Sequence, residues 1–210
     1  MSYRVTRGVA LACACALWAC SKDRERADSI ALADSAAKAA AAMPQPEPTP
    51  PPLTDANIAA LLDEANMGDS TLGAMAATKG TAASVKTFGR DMMRDHHALR
   101  VTGAALVKKL NLTPTPPAND TLPAAVQRQA STLETMPKGA EWDKTYIGGE
   151  VAIHQGVIAL LQTAQGATTD TALKALIVKV IPTIEGHLKR AQDIAGKLAA
   201  APAADSAKKP

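Results

Sequence analysis

A chain of 210 residues in which aromatic side chains make up 2 % and apolar ones 47 %, with a formal net charge of +3, is a poor candidate for a β-sandwich or barrel, whose strands draw on aromatic and β-branched residues. The Ala- and Leu-rich composition points to helices, the length to one domain or at most two small ones, and the small, evenly spread charge leaves no electrostatic footprint for nucleic acid. Most of the 14 Pro residues gather in two clusters outside the apolar-periodic stretches, and these read as linkers.

The chain begins with Arg4 and Arg7, followed by an apolar run from Gly8 to Ala19. As a helix that run reaches roughly 18 Å, short of a hydrocarbon core of about 30 Å, so it reads as a cleaved secretory signal over residues 1–19. Leu17-Trp18-Ala19-Cys20 resembles a bacterial lipobox, which implies cleavage before Cys20 and acylation of its thiol and amine. Plain secretion after cleavage at an Ala is the alternative. Cys13 and Cys15 lie in the removed segment, so Cys20 alone remains and no disulfide forms within the mature chain. Loss of Arg4 and Arg7 lowers the formal charge from +3 to +1. Acyl chains, at about 0.8 kcal/mol per buried CH₂, hold such a protein on a membrane surface. Ser21 after the Cys matches lipoproteins sorted to the outer membrane and facing the periplasm.

Residues 20–53 are charged, then Ala-rich, then Pro-rich, with Pro at 44, 46, 48, 50, 51 and 52. Such a stretch favours extended polyproline II and acts as a semi-rigid spacer. The folded unit is expected over residues 54–198, followed by a disordered tail over 199–210. Within it four long amphipathic patterns predict helices: Thr54, as N-cap, to about Lys79, closed by Gly80; about Ala82 to Leu110; about Glu141 to Gln165; and about Thr171 to Leu198. A Pro-containing loop from Asn111 to Pro123 leads to a short helix from about Ala124 to Met136. The expected architecture is all-α, an antiparallel four-helix bundle with this short extra helix in the second-to-third connection. Pro182 removes one backbone bond from the last helix and is expected to kink it.

The informative residues are those that break the apolar stripes. Asp69 lies four after Ala65 and three before Leu72, His96 four after Met92 and three before Leu99, so both face inward. Glu150 and His154 stand one turn apart on the inward face of the third long helix, and His187 occupies a stripe position of the fourth. Asp95 sits at the edge, able to orient His96 or add an oxygen ligand, while His97 falls on the solvated face. At about 1.5 Å per residue all five inward groups come out near the middle of the bundle. Imidazole and carboxylate converging at one level suit a divalent transition metal: zinc, copper, iron, nickel or manganese. The alternative is a metal-free polar network that fixes helix register. Methionines 67, 75, 92 and 93 at helical spacing read as core filler. No phosphate-binding loop, nucleophile elbow or second mature Cys is present in the sequence, so no catalytic residues are assigned and a non-enzymatic role is favoured.

Val85-Lys-Thr-Phe-Gly-Arg-Asp-Met-Met-Arg-Asp-His96, then Asp143-Lys-Thr-Tyr146, Glu150-Val-Ala-Ile-His154 and Pro182-Thr-Ile-Glu-Gly-His187-Leu188 together resemble the bacterial exported family catalogued as domain of unknown function 4142, over about residues 55 to 198. The resemblance implies a ferritin-like bundle with a mid-bundle metal site. Two departures bear on that site. Asp69 stands where many members carry Glu. Met93 and Ile184 occupy the positions three before His96 and His187, so the paired Glu-x-x-His of di-iron carboxylate proteins is not kept. A mononuclear site in a membrane-tethered envelope protein, serving metal buffering or stress tolerance, is the favoured reading. An interaction module on a Pro-rich stalk comes second and a redox enzyme third.

Overall fold

A computed structural model describes residues 51–200. The signal segment, Cys20, most of the Pro-rich spacer and the end of the tail lie outside the described residues. Among the described residues the chain is all-helical: α1 Asp55–Lys79, α2 Ala83–Lys109, α3 Leu122–Thr135, α4 Ala140–Ala167 and α5 Thr171–Ala200. None of these helices is long and apolar enough to cross a membrane.

Local chemistry sets each boundary. Thr54 caps α1 through a reciprocal box: its hydroxyl accepts from the Asn57 amide at 3.2 Å, and the Asn57 side-chain oxygen accepts from the Thr54 amide at 3.0 Å. Asn57 also donates to the Thr115 carbonyl at 2.8 Å, fastening the proline-containing loop to this end of α1. Asp120 accepts from the Leu122 amide at the start of α3, where Pro123 sits in the first turn, a position that needs no amide hydrogen. Asp170 accepts from the amides of Ala172 and Leu173 to begin α5. That helix runs through Pro182 without interruption.

The start of α2 is different. Its N-cap, Ala82, has no side chain able to accept a hydrogen bond. The buried carboxylate of Asp143 on α4 takes over, accepting from the Thr81 amide (2.9 Å), the Thr81 hydroxyl (2.6 Å) and the Ala82 amide (2.7 Å). A negative charge here also complements the positive end of the helix dipole.

Short turns at residues 80–82 and 168–170 make α1 with α2, and α4 with α5, the two most extensively packed helix pairs. In the first pair the backbones nearly touch. A Cβ on Gly73 would come within 2.6 Å of the Gly89 carbonyl, and one on Gly89 within 2.6 Å of the Gly73 carbonyl, so only glycine allows the approach at both places. Helix α3 packs on α1 and α4, with Trp142 donating from its indole to the Leu133 carbonyl at 2.8 Å.

The core has two apolar clusters. One gathers Leu72, Phe88, Met92, Leu133, Trp142, Tyr146 and Ile194; the other Ile58, Ala65, Val157, Leu161, Ile177 and Ile184. Trp142 stacks on Tyr146 (5.7 Å between centroids), and Phe88 meets Tyr146 edge-on. Met92 is fully buried, whereas Met67 and Met93 are exposed, so the methionine spacing does not describe a single core stripe.

Candidate metal centre

On each of α1, α2, α4 and α5 the residues between the two apolar clusters are polar and buried. Asp69 follows Ala65 and precedes Leu72; His96 follows Met92; Glu150 and His154 separate Ile147 from Val157; His187 separates Ile184 from Ala191. Asp69, His96, Glu150 and His154 are each 1 % exposed and His187 7 %. Sequence spacing alone explains the burial, because each occupies an inward position of its helix.

The three imidazoles form a near-equilateral triangle, with centroids separated by 5.2 Å (His96 and His187), 5.6 Å (His154 and His187) and 5.7 Å (His96 and His154). One ring nitrogen from each lies within 4.8 Å of one from each of the others, and Asp69, Glu150 and His154 make a second such group. All five side chains are therefore neighbours, and His154 belongs to both groups.

Hydrogen bonding gives each ring a direction. His96 Nδ1 lies 2.8 Å from Asn66 Oδ1, His154 Nδ1 2.9 Å from the Glu150 main-chain oxygen, and His187 Nε2 3.1 Å from Asp95 Oδ2. All three partners are acceptors, so the ring nitrogen facing each of them carries the proton. Asn66 is itself oriented, because its amide nitrogen donates to the Leu62 carbonyl at 2.6 Å. The remaining nitrogens, His96 Nε2, His154 Nε2 and His187 Nδ1, are buried and have no partner. Each is left with a lone pair, which is how neighbours of metal-binding histidines fix the tautomer.

Electrostatics agree with that assignment. Burial pushes His96 down to about 3, helped by His154 and His187, and pushes His154 down to about 4. Burial also lowers His187, against the pull of Asp95. Neutral rings are the metal-binding form. The carboxyls move the other way. Burial raises Asp69 to about 7, and burial together with Asp69 holds Glu150 well above the usual range. Their oxygens are orphaned, as is the Tyr146 hydroxyl that faces Glu150. Asp69 and Glu150 each approach an imidazole Nδ1 at 3.5 Å. With the rings neutral and that nitrogen already committed, these are near contacts and not ion pairs.

The sequence left Asp95 to orient His96 or to supply an oxygen. In the structure it holds His187, while Asn66 holds His96. Consecutive residues point about 100° apart around a helix, so Asp95 cannot follow its neighbour inward; it faces α5. Half-exposed Arg190 and the well-exposed Arg94 join Asp91 and Asp95 into a charged rim outside the layer. Burial pushes Asp95 up, but the hydrogen bonds from Arg94 and His187 outweigh it and its pKa is lowered. Asn66 escaped notice although it lies three before Asp69, on the same face. Tyr146, four before Glu150, read only as an apolar stripe member.

The donor set suits a divalent transition ion. Three neutral imidazole nitrogens and two buried carboxyls lack partners, and unsatisfied groups of this kind are costly unless something binds them. The model of the family described as domain of unknown function (DUF4142) matches residues 35–194, and the chain belongs to that family. No curated protein matches the chain. Among solved structures, the crystal structure of a DUF305 fragment from Deinococcus radiodurans superposes with a TM-score of 0.60, covering 70 % of this chain and 99 % of that one at 14 % identity. The likeness is one of helical fold.

Proposed function

We propose that the protein binds a divalent transition metal in the polar layer, held by His96, His154 and His187 with Asp69 and Glu150 completing the donor set, and that it does so without catalysing a reaction. The observation that carries this reading is the convergence of three histidines that each have one nitrogen committed to a neighbour and the other buried with no partner. A metal-free polar network would close those lone pairs on protein donors. Asn66 and Asp95 act as positioning residues, fixing the tautomers of His96 and His187. A zinc, copper, nickel, iron or manganese ion would supply charge to balance the two carboxylates and a structural tie between α1–α2 and α4–α5.

The architecture that goes with this reading is a ferritin-like antiparallel four-helix bundle in which α3 is an addition to the second connection. The two short interhelical turns and the shared polar layer support it. The setting is the cell envelope: a signal over residues 1–19, acylation at Cys20, outer-membrane anchoring toward the periplasm, and a spacer over residues 20–53 that lifts the domain over 54–198 off the lipid. Metal buffering or envelope stress tolerance is the role that fits such a site.

Elemental analysis of untagged protein, with His154→Ala and His187→Ala variants beside it, tests the metal. About one ion per chain in the parent and loss in both variants is the expected result. Substoichiometric metal in the parent, or undiminished metal in both variants, overturns the reading. Membrane fractionation of the parent against Cys20→Ser tests the anchor, with the variant expected in the soluble fraction.

A further inference from the structure

Tyr146 belongs to an apolar cluster by its ring and to the polar layer by its hydroxyl. The side chain is fully buried, stacked on Trp142 with 16° between the ring planes and met edge-on by Phe88 at 65°. Trp142 is itself pinned by its indole bond to the Leu133 carbonyl, so the phenol is held in place. Its hydroxyl faces Glu150, one turn further along α4. A buried tyrosine hydroxyl ordinarily finds a partner, and this one has none. Phenylalanine would fill the cluster equally well, so packing does not account for the oxygen.

Glu150 presents the complementary need. Both of its carboxyl oxygens are buried without a partner. If one of them ligates an ion, the other stays buried and needs a hydrogen-bond donor. The imidazole N–H groups are spent: His154 Nδ1 on the Glu150 main-chain oxygen, His96 Nδ1 on Asn66 and His187 Nε2 on Asp95. Asp69, as a second carboxylate ligand, brings acceptors only. Ser70, whose Oγ is also buried and unpartnered, follows Asp69 and points about 100° away from it around α1. The phenol O–H of Tyr146 is the donor left.

We propose that Tyr146 is a positioning residue of the metal centre, donating its hydroxyl hydrogen to the Glu150 oxygen that faces away from the ion and so holding that carboxylate as a ligand through one oxygen. The inference rests on the metal-binding reading above. It gives the rigid aromatic stack a task in the layer: the packing of Trp142 and Phe88 sets the phenol, and the phenol sets the carboxylate. Partners that orient a metal ligand in this way are commonly worth about 10–100-fold in metal affinity.

Zinc titration of the untagged full chain against a chromophoric chelator, in the parent, Tyr146→Phe, Glu150→Ala and the double variant, tests the proposal. Tyr146→Phe should keep its zinc stoichiometry and helical circular dichroism while losing about tenfold in affinity. In the Glu150→Ala background the same change should cost less than about twofold, because a residue that acts through Glu150 has nothing left to hold; one that merely fills the cluster would cost the same in both. Zinc should also shift the tyrosine absorption of the parent to the red, as the hydroxyl becomes a donor, and leave that of Glu150→Ala in place. Unchanged affinity in Tyr146→Phe, an equal loss in both backgrounds, or no red shift in the zinc-loaded parent overturns the proposal and leaves the metal reading standing. A parent that takes up no zinc overturns both. Where a variant does not fold or binds no zinc, the absorption shift in the parent decides.

Discussion

The two apolar clusters and the layer between them are built from the same helices and are equally withdrawn from water, yet they differ in how their atoms are satisfied. In the clusters, Phe88, Leu161 and Ile177 sit at 0 % exposure among other side chains, and their atoms need nothing more than contact. In the layer, Asp69, Tyr146, Glu150 and the three histidines together leave eight buried polar atoms without a partner. A folded domain tolerates few such atoms, so their concentration at one level sets the layer apart from the core on either side of it.

Mutations should respond to that difference with opposite sign. Phe88→Ala and Leu161→Ala remove packed side chains and are expected to lower stability by about 3–5 and about 2–5 kcal/mol respectively, read from urea unfolding. Glu150→Gln, which removes the cost of burying this carboxyl, is expected to raise the metal-free melting temperature at pH 8. Equal destabilisation by all three would erase the distinction between layer and clusters.

Metal should act on the layer alone. At a free concentration a thousandfold above its dissociation constant, the ion would stabilise the parent by about 4 kcal/mol, a rise in melting temperature on the order of 10 °C for a domain of this size. A chelator reverses it, and His187→Ala abolishes it while leaving the effect of Phe88→Ala intact.

The layer also predicts a pH dependence in chelated protein. Asp69 is raised from 3.8 to about 7 on folding, so its contribution to stability is fully present below 3.8 and lost as pH rises through about 7. His96 and His154 are lowered from 6.5 to about 3 and about 4. Their contribution is present above 6.5 and lost as pH falls toward those values. Two histidines outweigh one carboxyl, so metal-free parent should lose stability as pH falls from about 6.5 toward 4, and these three groups leave it level above about 7. Asp69→Asn removes the opposing loss between about pH 4 and 7, so it should make the rise of stability from pH 4 to 6.5 steeper in melting experiments, and an unchanged profile there would mean that the carboxyl is not carrying it.

Two smaller effects lie outside the layer. Asp143→Ala leaves the amides of Thr81 and Ala82 without their acceptor and should cost about 1–3 kcal/mol in chemical denaturation. Gly103→Ala places a methyl group in open space within α2 and should stabilise by about 0.5–1 kcal/mol.

Much of the fold could be read from the residues. Thr54 and Gly80 bound α1 as their chemistry dictates, and α2 and α5 begin within a residue of the expected positions. α3 begins two residues before its expected start, at Leu122, because Asp120 supplies an acceptor for the first amide. The inward placement of Asp69, His96, Glu150, His154 and His187 follows from three- and four-residue spacing alone. What spacing cannot supply is the partner of each side chain. That Asn66 rather than Asp95 meets His96, and that Asp95 reaches α5, depends on how helices face one another across the fold, which a single-helix projection does not contain. Asp143 illustrates the same limit: in sequence it is an acidic residue in the first turn of α4, a position that explains itself through the helix dipole, and nothing local reveals that it serves another helix.

That last contact ties the cooperativity of the molecule together. The first turn of α2 takes its acceptor from a residue about sixty positions away, so it cannot be completed while α1 and α2 stand alone. The amides of Thr81 and Ala82 thus belong thermodynamically to the α4–α5 pair. In hydrogen exchange they should open with the whole domain and not with the fraying of their own helix, making one unfolding unit out of two hairpins.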